Sequence, residues 1–252
     1  MKQPKKHYRS IFISDTHLGY KLNRSDLLNN FLKNHSCEKL YLVGDIVDIW
    51  AFERRFYWSY SDSLAVRQIL NKKRHNSEVY YITGNHDGHL RSLLPNLNFE
   101  GITFHNEMIH YGIDGKKYLV IHGDIFDNIT PVWEIISKIG DRAYTFSIHL
   151  NNIINKIREI FNLEPWSISL FLKQNVKEAV KYIASYEEHM LDYCKNYDGI
   201  ICGHIHKADI KNIEKLKYMN CGDWIESFTA LVENTDGTFE LIEWKTIEDD
   251  YI

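Results

Sequence analysis

An α/β fold of strands layered with helices is predicted by three observations on this chain. Five short apolar runs, rich in β-branched and aromatic residues, read as buried strands: Ile11-Phe12-Ile13, Leu40-Tyr41-Leu42-Val43, Val79-Tyr80-Tyr81-Ile82, Tyr118-Leu119-Val120-Ile121 and Gly199-Ile200-Ile201-Cys202. Helical spacing separates the first three, through Leu27, Leu28, Phe31 and Leu32 in 26–35 and through Leu64, Ala65, Ile69 and Leu70 in 64–73. Each run also stops at a residue type that binds metals, giving Asp15, Asp45, Asn85, His122 and His204 in chain order. Ligands collect at the carboxyl ends of strands in open α/β sheets, and a chance scatter of polar residues would not repeat this five times.

The pattern of strand and connection runs from Tyr8 to about Ile129 and then changes. From 131 to 195 strand signal is sparse, while Pro131 suits the first turn of a helix and Gly140 its end. Ile153, Ile154, Ile157, Ile160 and Phe161 share one helical face, and a longer helix follows over 176–195. The chain is thus read as a single domain over 1–252, with 131–195 as a helical insertion ahead of the fifth strand. Strand-like text returns at 218–224, 228–233 and 239–244. The last two read as a hairpin turning at Asp236-Gly237 and are expected to complete a second sheet.

Composition bounds the function. Hydrophobic residues at 44% and charged residues at 25% are ordinary for a soluble globular protein. A net charge of -4 argues against a nucleic-acid binder. Cys37, Cys194, Cys202 and Cys221 are far apart and form no CxxC pair, which disfavours structural zinc and fits small packed side chains in a reducing cytoplasm. The first apolar run is too short for a signal-peptide core and no run approaches a membrane span, so any membrane contact is expected to be peripheral, on the inner face.

The chemistry lies in five short motifs: Asp15-Thr16-His17, Gly44-Asp45-Ile46-Val47-Asp48, Gly84-Asn85-His86-Asp87, His122-Gly123-Asp124 and Gly203-His204-Ile205-His206. Asp, Asn and His suit Mn²⁺, Mg²⁺, Fe or Zn²⁺, and the absence of cysteine from the set disfavours a thiolate site. Two such ions about 3.5–4 Å apart can activate water and clamp a phosphoryl centre, and the pair needs a bridging carboxylate. Asp45 is the expected bridge, since it follows the second strand.

Over nearly the whole chain these motifs together resemble the calcineurin-like metallophosphoesterase superfamily. The resemblance implies a four-layer αββα sandwich of two sheets with a dinuclear site at its edge and the insertion as a lid. It also implies that Asp15, His17, Asp45 and His206 hold one metal ion, and Asp45, Asn85, His122 and His204 the other, with Mn²⁺ the first choice. Leu42 to Trp50, the insertion, and Asn220-Cys221-Gly222-Asp223-Trp224-Ile225-Glu226-Ser227 resemble the UDP-2,3-diacylglucosamine diphosphatase branch. That likeness implies hydrolysis to UMP and 2,3-diacylglucosamine 1-phosphate, a step of lipid A synthesis. The departure is His86, where well-studied members of the branch carry Arg.

His86, oriented by Asp87, is the expected catalytic residue, stabilising the transition state or protonating the leaving oxygen. As a bland alternative it only supports Asn85. Asp48, Asp124 and Asp127 either orient ligands or cap turns, and stand outside the ligand set. Trp50, Arg54 and Arg55 are candidate contacts to substrate, against the reading of a solvated loop. The isoleucine face of the insertion either touches lipid or packs on the core. Two other functions stay open: a phosphodiesterase or phosphatase acting on nucleotides or another phospholipid, and a non-catalytic scaffold binding a partner through the insertion.

Overall fold

The computed structural model describes residues 5–54, 56–94, 96–126 and 186–244. The chain divides into two compact units, 1–125 with 194–252, and 126–193. The helices expected at 131–140 and 153–161, and Asp127, lie outside the described residues. Of the insertion's last expected helix, 186–193 are helical. Within this second unit Phe126 meets Tyr186 and Tyr193 edge-on.

The first unit carries two sheets. One has seven strands in the order β12-β11-β1-β2-β3-β5-β4, using β1 (Lys6–Ile13), β2 (His35–Val43), β3 (Glu78–Ile82), β4 (Asn98–Phe99), β5 (Ile102–His105), β11 (Thr229–Glu233) and β12 (Phe239–Glu243). The other has five in the order β6-β7-β8-β10-β9, using β6 (Glu107–Tyr111), β7 (Lys117–Ile121), β8 (Gly199–Cys202), β9 (Asp209–Ile213) and β10 (Leu216–Asn220). β1, β2, β3 and β5 run parallel, as do β7, β8 and β10. The five expected strands are all present, three in one sheet and two in the other.

Side-chain alternation along β1 shows how the layers form. Ile11 and Ile13 pack with Leu27, Leu28 and Phe31 of helix α1 (Ser25–Asn34) and with Ala65 and Ile69 of helix α3 (Tyr60–Arg74). Phe12 between them faces the other way and packs with Tyr41 and Val43 against Val120, Ile201 and Met219 of the second sheet. Helix, sheet and sheet are therefore three successive layers. Leu119, Ile200 and Cys202, on the opposite face of the second sheet, are buried too.

Three expectations are corrected. The hairpin β11-β12 extends the first sheet, with β11 antiparallel to β1 and Leu231 opposite Phe12. All five β11 residues are buried, because Ala230 and Val232 face the helices while Leu231 faces the second sheet, and that requires an interior strand. The strand expected at 218–224 ends at Asn220, so that 221–224 lead from one sheet to the other. Helix α3 starts at Tyr60, one turn before the expected 64, because Ser59 and Asp62 form a reciprocal capping box.

A buried polar network crosses between the sheets away from the strand ends that carry the motifs. Glu233 accepts from Arg9 Nη1 at 2.5 Å and from the Ser10 hydroxyl at 3.0 Å, and lies 2.9 Å from His110 Nε2. His110 Nδ1 in turn lies 3.0 Å from the Tyr41 hydroxyl. Burial opposes the Glu233 charge, yet His110 and Arg9 hold its carboxyl below the usual range. A depressed carboxylate stabilises the fold above its unfolded pKa, and this is lost as pH falls through the folded value. Glu233→Ala strands the buried Ser10 and His110 and the part-buried Arg9, and is expected to cost about 3–5 kcal/mol, read by urea unfolding at neutral pH. The wild-type advantage over the variant should shrink in acid, and an advantage independent of pH would remove the carboxylate's charge from the explanation.

No helix among the described residues is long and apolar enough to cross a membrane. The four cysteines are free and buried. Burial pushes the Cys37 thiol up to about 11, and the Cys194 and Cys202 thiols up to about 12, so they pack as apolar groups.

Candidate metal centre

The site is built by loops that leave the carboxyl ends of β1, β2, β3, β7 and β8. Five of the seven expected ligands have left-handed backbones: Asp15 (φ 52°), His17 (43°), Asp45 (53°), His204 (69°) and His206 (54°). Such conformations cost a non-glycine residue about 1–3 kcal/mol and persist only where the surroundings over-determine them. Here the loops hold one another. Asp15 N–H donates to Gly44 C=O, His17 N–H to Asp45 C=O, and Trp224 N–H to Asp15 C=O.

The motif glycines follow from the same crowding. A Cβ on Gly84 would strike the Asp45 carboxylate and backbone nitrogen, and one on Gly203 would strike the Asp15 carboxylate and Ser14. Gly44 (φ +79°) lies under the His122 ring. Glycine before the ligand is thus a consequence of bringing carboxylates and imidazoles together.

Side chains from both sheets converge. Asp15 Oδ1 lies 3.2 Å from His206 Nε2 and 3.8 Å from His17 Nε2. Asp45 Oδ2 lies 3.3 Å from His122 Nε2 and 3.9 Å from His17 Nε2, so Asp45 sits between the two expected ligand groups. Asn85 Oδ1 lies 3.2 Å from His122 Nε2. His204 stands beside His122 with ring centroids 5.1 Å apart, and its backbone N–H donates to Asp15 Oδ2. Three sets of potential ligand atoms are close enough to share an ion: Asp15, His17 and His206; Asp15, Asp45 and His122; and His17, Asp45 and His86.

These residues fit a divalent cation. Asp15 Oδ1 and His17 Nε2 are buried without a hydrogen-bond partner, which is costly for polar atoms unless something charged meets them. The electrostatics agree. Burial opposes charge on Asp15 and Asp45, but the surrounding imidazoles hold both carboxyls below their ordinary values. Burial likewise opposes protonation of His122 and His206, and the carboxylates, Asp45 and Asp15 for one and Asp15 for the other, raise them to about 10 and about 9. The cluster draws positive charge, and a cation competes with protons for the same atoms.

Asp48, left outside the ligand set by the sequence reading, lies at the centre of the orienting bonds. Its Oδ2 is 3.3 Å from His17 Nδ1, its Oδ1 is 3.0 Å from His86 Nδ1, and Oδ1 also accepts from Ala51 N–H as the chain enters helix α2 (Ile49–Arg54). Burial lowers the His86 imidazole, but the Asp48 hydrogen bond and the Asp45 charge hold it above its ordinary value. The orienting carboxylate is therefore Asp48 and not Asp87. Asp87 instead accepts from Gly84 N–H, Ile46 N–H and the Tyr81 hydroxyl, and so ties the motif loops after β2 and β3 together. The D-x-x-D spacing of Asp45 and Asp48 was the available signal, since the left-handed turn at Asp45 brings both toward the histidines.

Of the expected substrate contacts, Trp50 is placed at the site. Its ring lies 4.4 Å from His86, with 38% of its surface exposed. The Arg54 side chain and Arg55 lie outside the described residues.

A family model described as the calcineurin-like phosphoesterase superfamily domain matches residues 9–233. The chain is 23% identical over 254 residues to the UDP-2,3-diacylglucosamine hydrolase of Shewanella sp. (strain ANA-3), covering 91% of this chain and 95% of the relative. It is 26% identical over 241 residues to the protein of the same name from Blochmanniella floridana, covering 85% and 88%. Among solved structures it is similar to YfcE, a phosphoesterase from E. coli, at 13% identity and a TM-score of 0.42, covering 94% and 99%.

Proposed function

The chain belongs to the calcineurin-like phosphoesterase superfamily and is a metal-dependent phosphoesterase, and from that premise we propose that it cleaves UDP-2,3-diacylglucosamine to UMP and 2,3-diacylglucosamine 1-phosphate. The observation that supports this substrate is the likeness to hydrolases of that name along nearly the full length of both chains. The same reading makes the enzyme cytoplasmic, with peripheral contact to the membrane that holds its lipid-linked substrate.

In this reading Asp15, His17, Asp45 and His206 hold one divalent ion, and Asp45, Asn85, His122 and His204 the other, Mn²⁺ being the first choice. When bound, the ions supply Lewis acidity toward phosphoryl oxygens and a water acidic enough to attack phosphorus. Asp45 joins the two groups of ligands. Asp48 fixes the His17 and His86 rings through their Nδ1 atoms, a carboxylate–imidazole arrangement that sets ring orientation. His86 then presents its other nitrogen to the reacting phosphate or its leaving oxygen, and Trp50 covers one face of that ring.

A second reading, a phosphodiesterase or phosphatase acting on nucleotides or another phospholipid, is favoured by one observation. His86 stands hydrogen-bonded to Asp48, equipped to give a proton to a poor leaving group, a service that a UMP or sugar-phosphate leaving group needs least. The Mn²⁺-loaded protein is expected to release UMP from UDP-2,3-diacylglucosamine, followed by chromatography. Turnover of nucleotide or phospholipid esters without UMP release selects the second reading. Failure on every phosphate substrate would favour the scaffold.

A further inference from the structure

The guanidinium of Arg91 spans the two sheets. It sits in the short turn Gly88–Leu93 and is partly buried. Its Nε donates to Thr83 Oγ1 at 3.2 Å and its Nη2 to Thr83 C=O at 3.1 Å. Nη2 also donates to Asp124 Oδ1 at 3.0 Å, while Nη1 lies 2.9 Å from Asp124 Oδ2. Thr83 ends the β3 run two residues before Asn85, and Asp124 lies two residues after His122 at the end of β7. The loops joined by this one side chain carry two candidate ligands of the same ion.

We propose that Arg91 is a positioning residue that bolts the Asn85 loop to the His122 loop and thereby sets the second metal position. The proposal rests on the dinuclear reading above. Three hydrogen bonds and the Nη1–Oδ2 ion pair tie the guanidinium to Thr83 and Asp124, which makes it a brace rather than an anchor for substrate phosphate. The bond to Asp124 is a bidentate fork, the geometry that gives Arg both strength and direction. Thr83 is fixed in turn, its N–H donating to His105 C=O and its hydroxyl to Asn106 Oδ1, so the brace pulls on a rigid point. Asn85 Oδ1 and His122 Nε2 come to 3.2 Å between those anchors. The other ligand group, Asp15, His17 and His206 with the shared Asp45, has no residue in either braced loop.

The test is titration of the metal-free full-length chain with Mn²⁺ alone, by calorimetry and by Mn²⁺ retained after desalting. Wild type is expected to bind two ions. Arg91→Ala and Asp124→Asn should each weaken one of the two sites by about tenfold to a hundredfold, the usual effect of losing a partner outside the ligand shell, and leave the other unchanged. Arg91→Lys should behave like Arg91→Ala, because an ammonium cannot reproduce the fork to Asp124 together with the Thr83 bonds. The double variant should be no worse than either single one. An unchanged isotherm in Arg91→Ala, or equal weakening of both sites, overturns the proposal. If Arg91→Ala does not fold, the same outcomes are read from Arg91→Lys and Asp124→Asn. Wild type binding fewer than two ions defeats the dinuclear reading itself, a result separable from two ions in wild type and no effect in the variants.

Discussion

Asp45→Asn is expected to lower phosphoester hydrolysis at least about a thousandfold and to reduce Mn²⁺ retained per chain from two to one or none. The reason is its place. Asp45 Oδ2 lies within 4 Å of both His122 Nε2 and His17 Nε2, residues from the two different ligand groups. A neutral amide there removes the one charge that both ions would share. Metal stabilisation of charge in a phosphoryl transition state amounts to several kcal/mol, and a thousandfold is about 4 kcal/mol. The substitution is also clean, since the amide oxygen can still accept the His86 N–H that Asp45 Oδ1 holds at 2.8 Å, so the loop after β3 keeps its anchor. Metal-free wild type and variant should therefore melt as folded proteins. A variant that retains two ions and activity within about tenfold of wild type would remove Asp45 from the bridging role.

Much of this arrangement was legible in the sequence, for definite physical reasons. Strands buried on both faces must be apolar throughout, so Leu40 to Val43 and Gly199 to Cys202 stand out, and the first polar residues after them are those the loops present. Most strands without that burial were missed, β12 being found through the hairpin turn that precedes it. β9 (Asp209–Ile213) buries none of its residues fully, and β5 and β6 are short and part-exposed at or near sheet edges. Which strand belongs to which sheet was not legible in the patterning, because a buried strand reads the same whichever neighbours it has. The hairpin β11-β12 was found but assigned to the wrong sheet for that reason. Asp48 and Asp87 stood in adjacent motifs, and nothing in either motif tells that Asp48 meets His86 while Asp87 turns to the Gly84 and Ile46 N–H groups. Arg91 carried no signal, since Thr83 and Asp124 approach it from different sheets.

His86→Ala is expected to separate substrates by their leaving groups. Its Nδ1 is held by Asp48 at 3.0 Å, its ring lies edge-on to His17 at 4.6 Å between centroids, and Trp50 covers it at 4.4 Å. A ring fixed on three sides is pre-organised for one task with its remaining nitrogen. Proton transfer by a positioned side chain contributes about 10²–10⁴-fold, and it matters in proportion to the basicity of the oxygen that departs. Alkyl phosphodiesters, which expel an alkoxide, should lose that full factor in kcat. Activated aryl phosphates should lose little, because their phenolate leaves unaided. For UDP-2,3-diacylglucosamine the leaving phosphate already carries its charge well, and the loss should fall near the aryl limit. Asp48→Asn, which loosens both His86 and the candidate ligand His17, should show the same ordering on top of a loss common to all three substrate classes. Equal losses across all three substrate classes would mean that His86 acts by charge or by supporting Asn85, and would take the proton-donor role away from it.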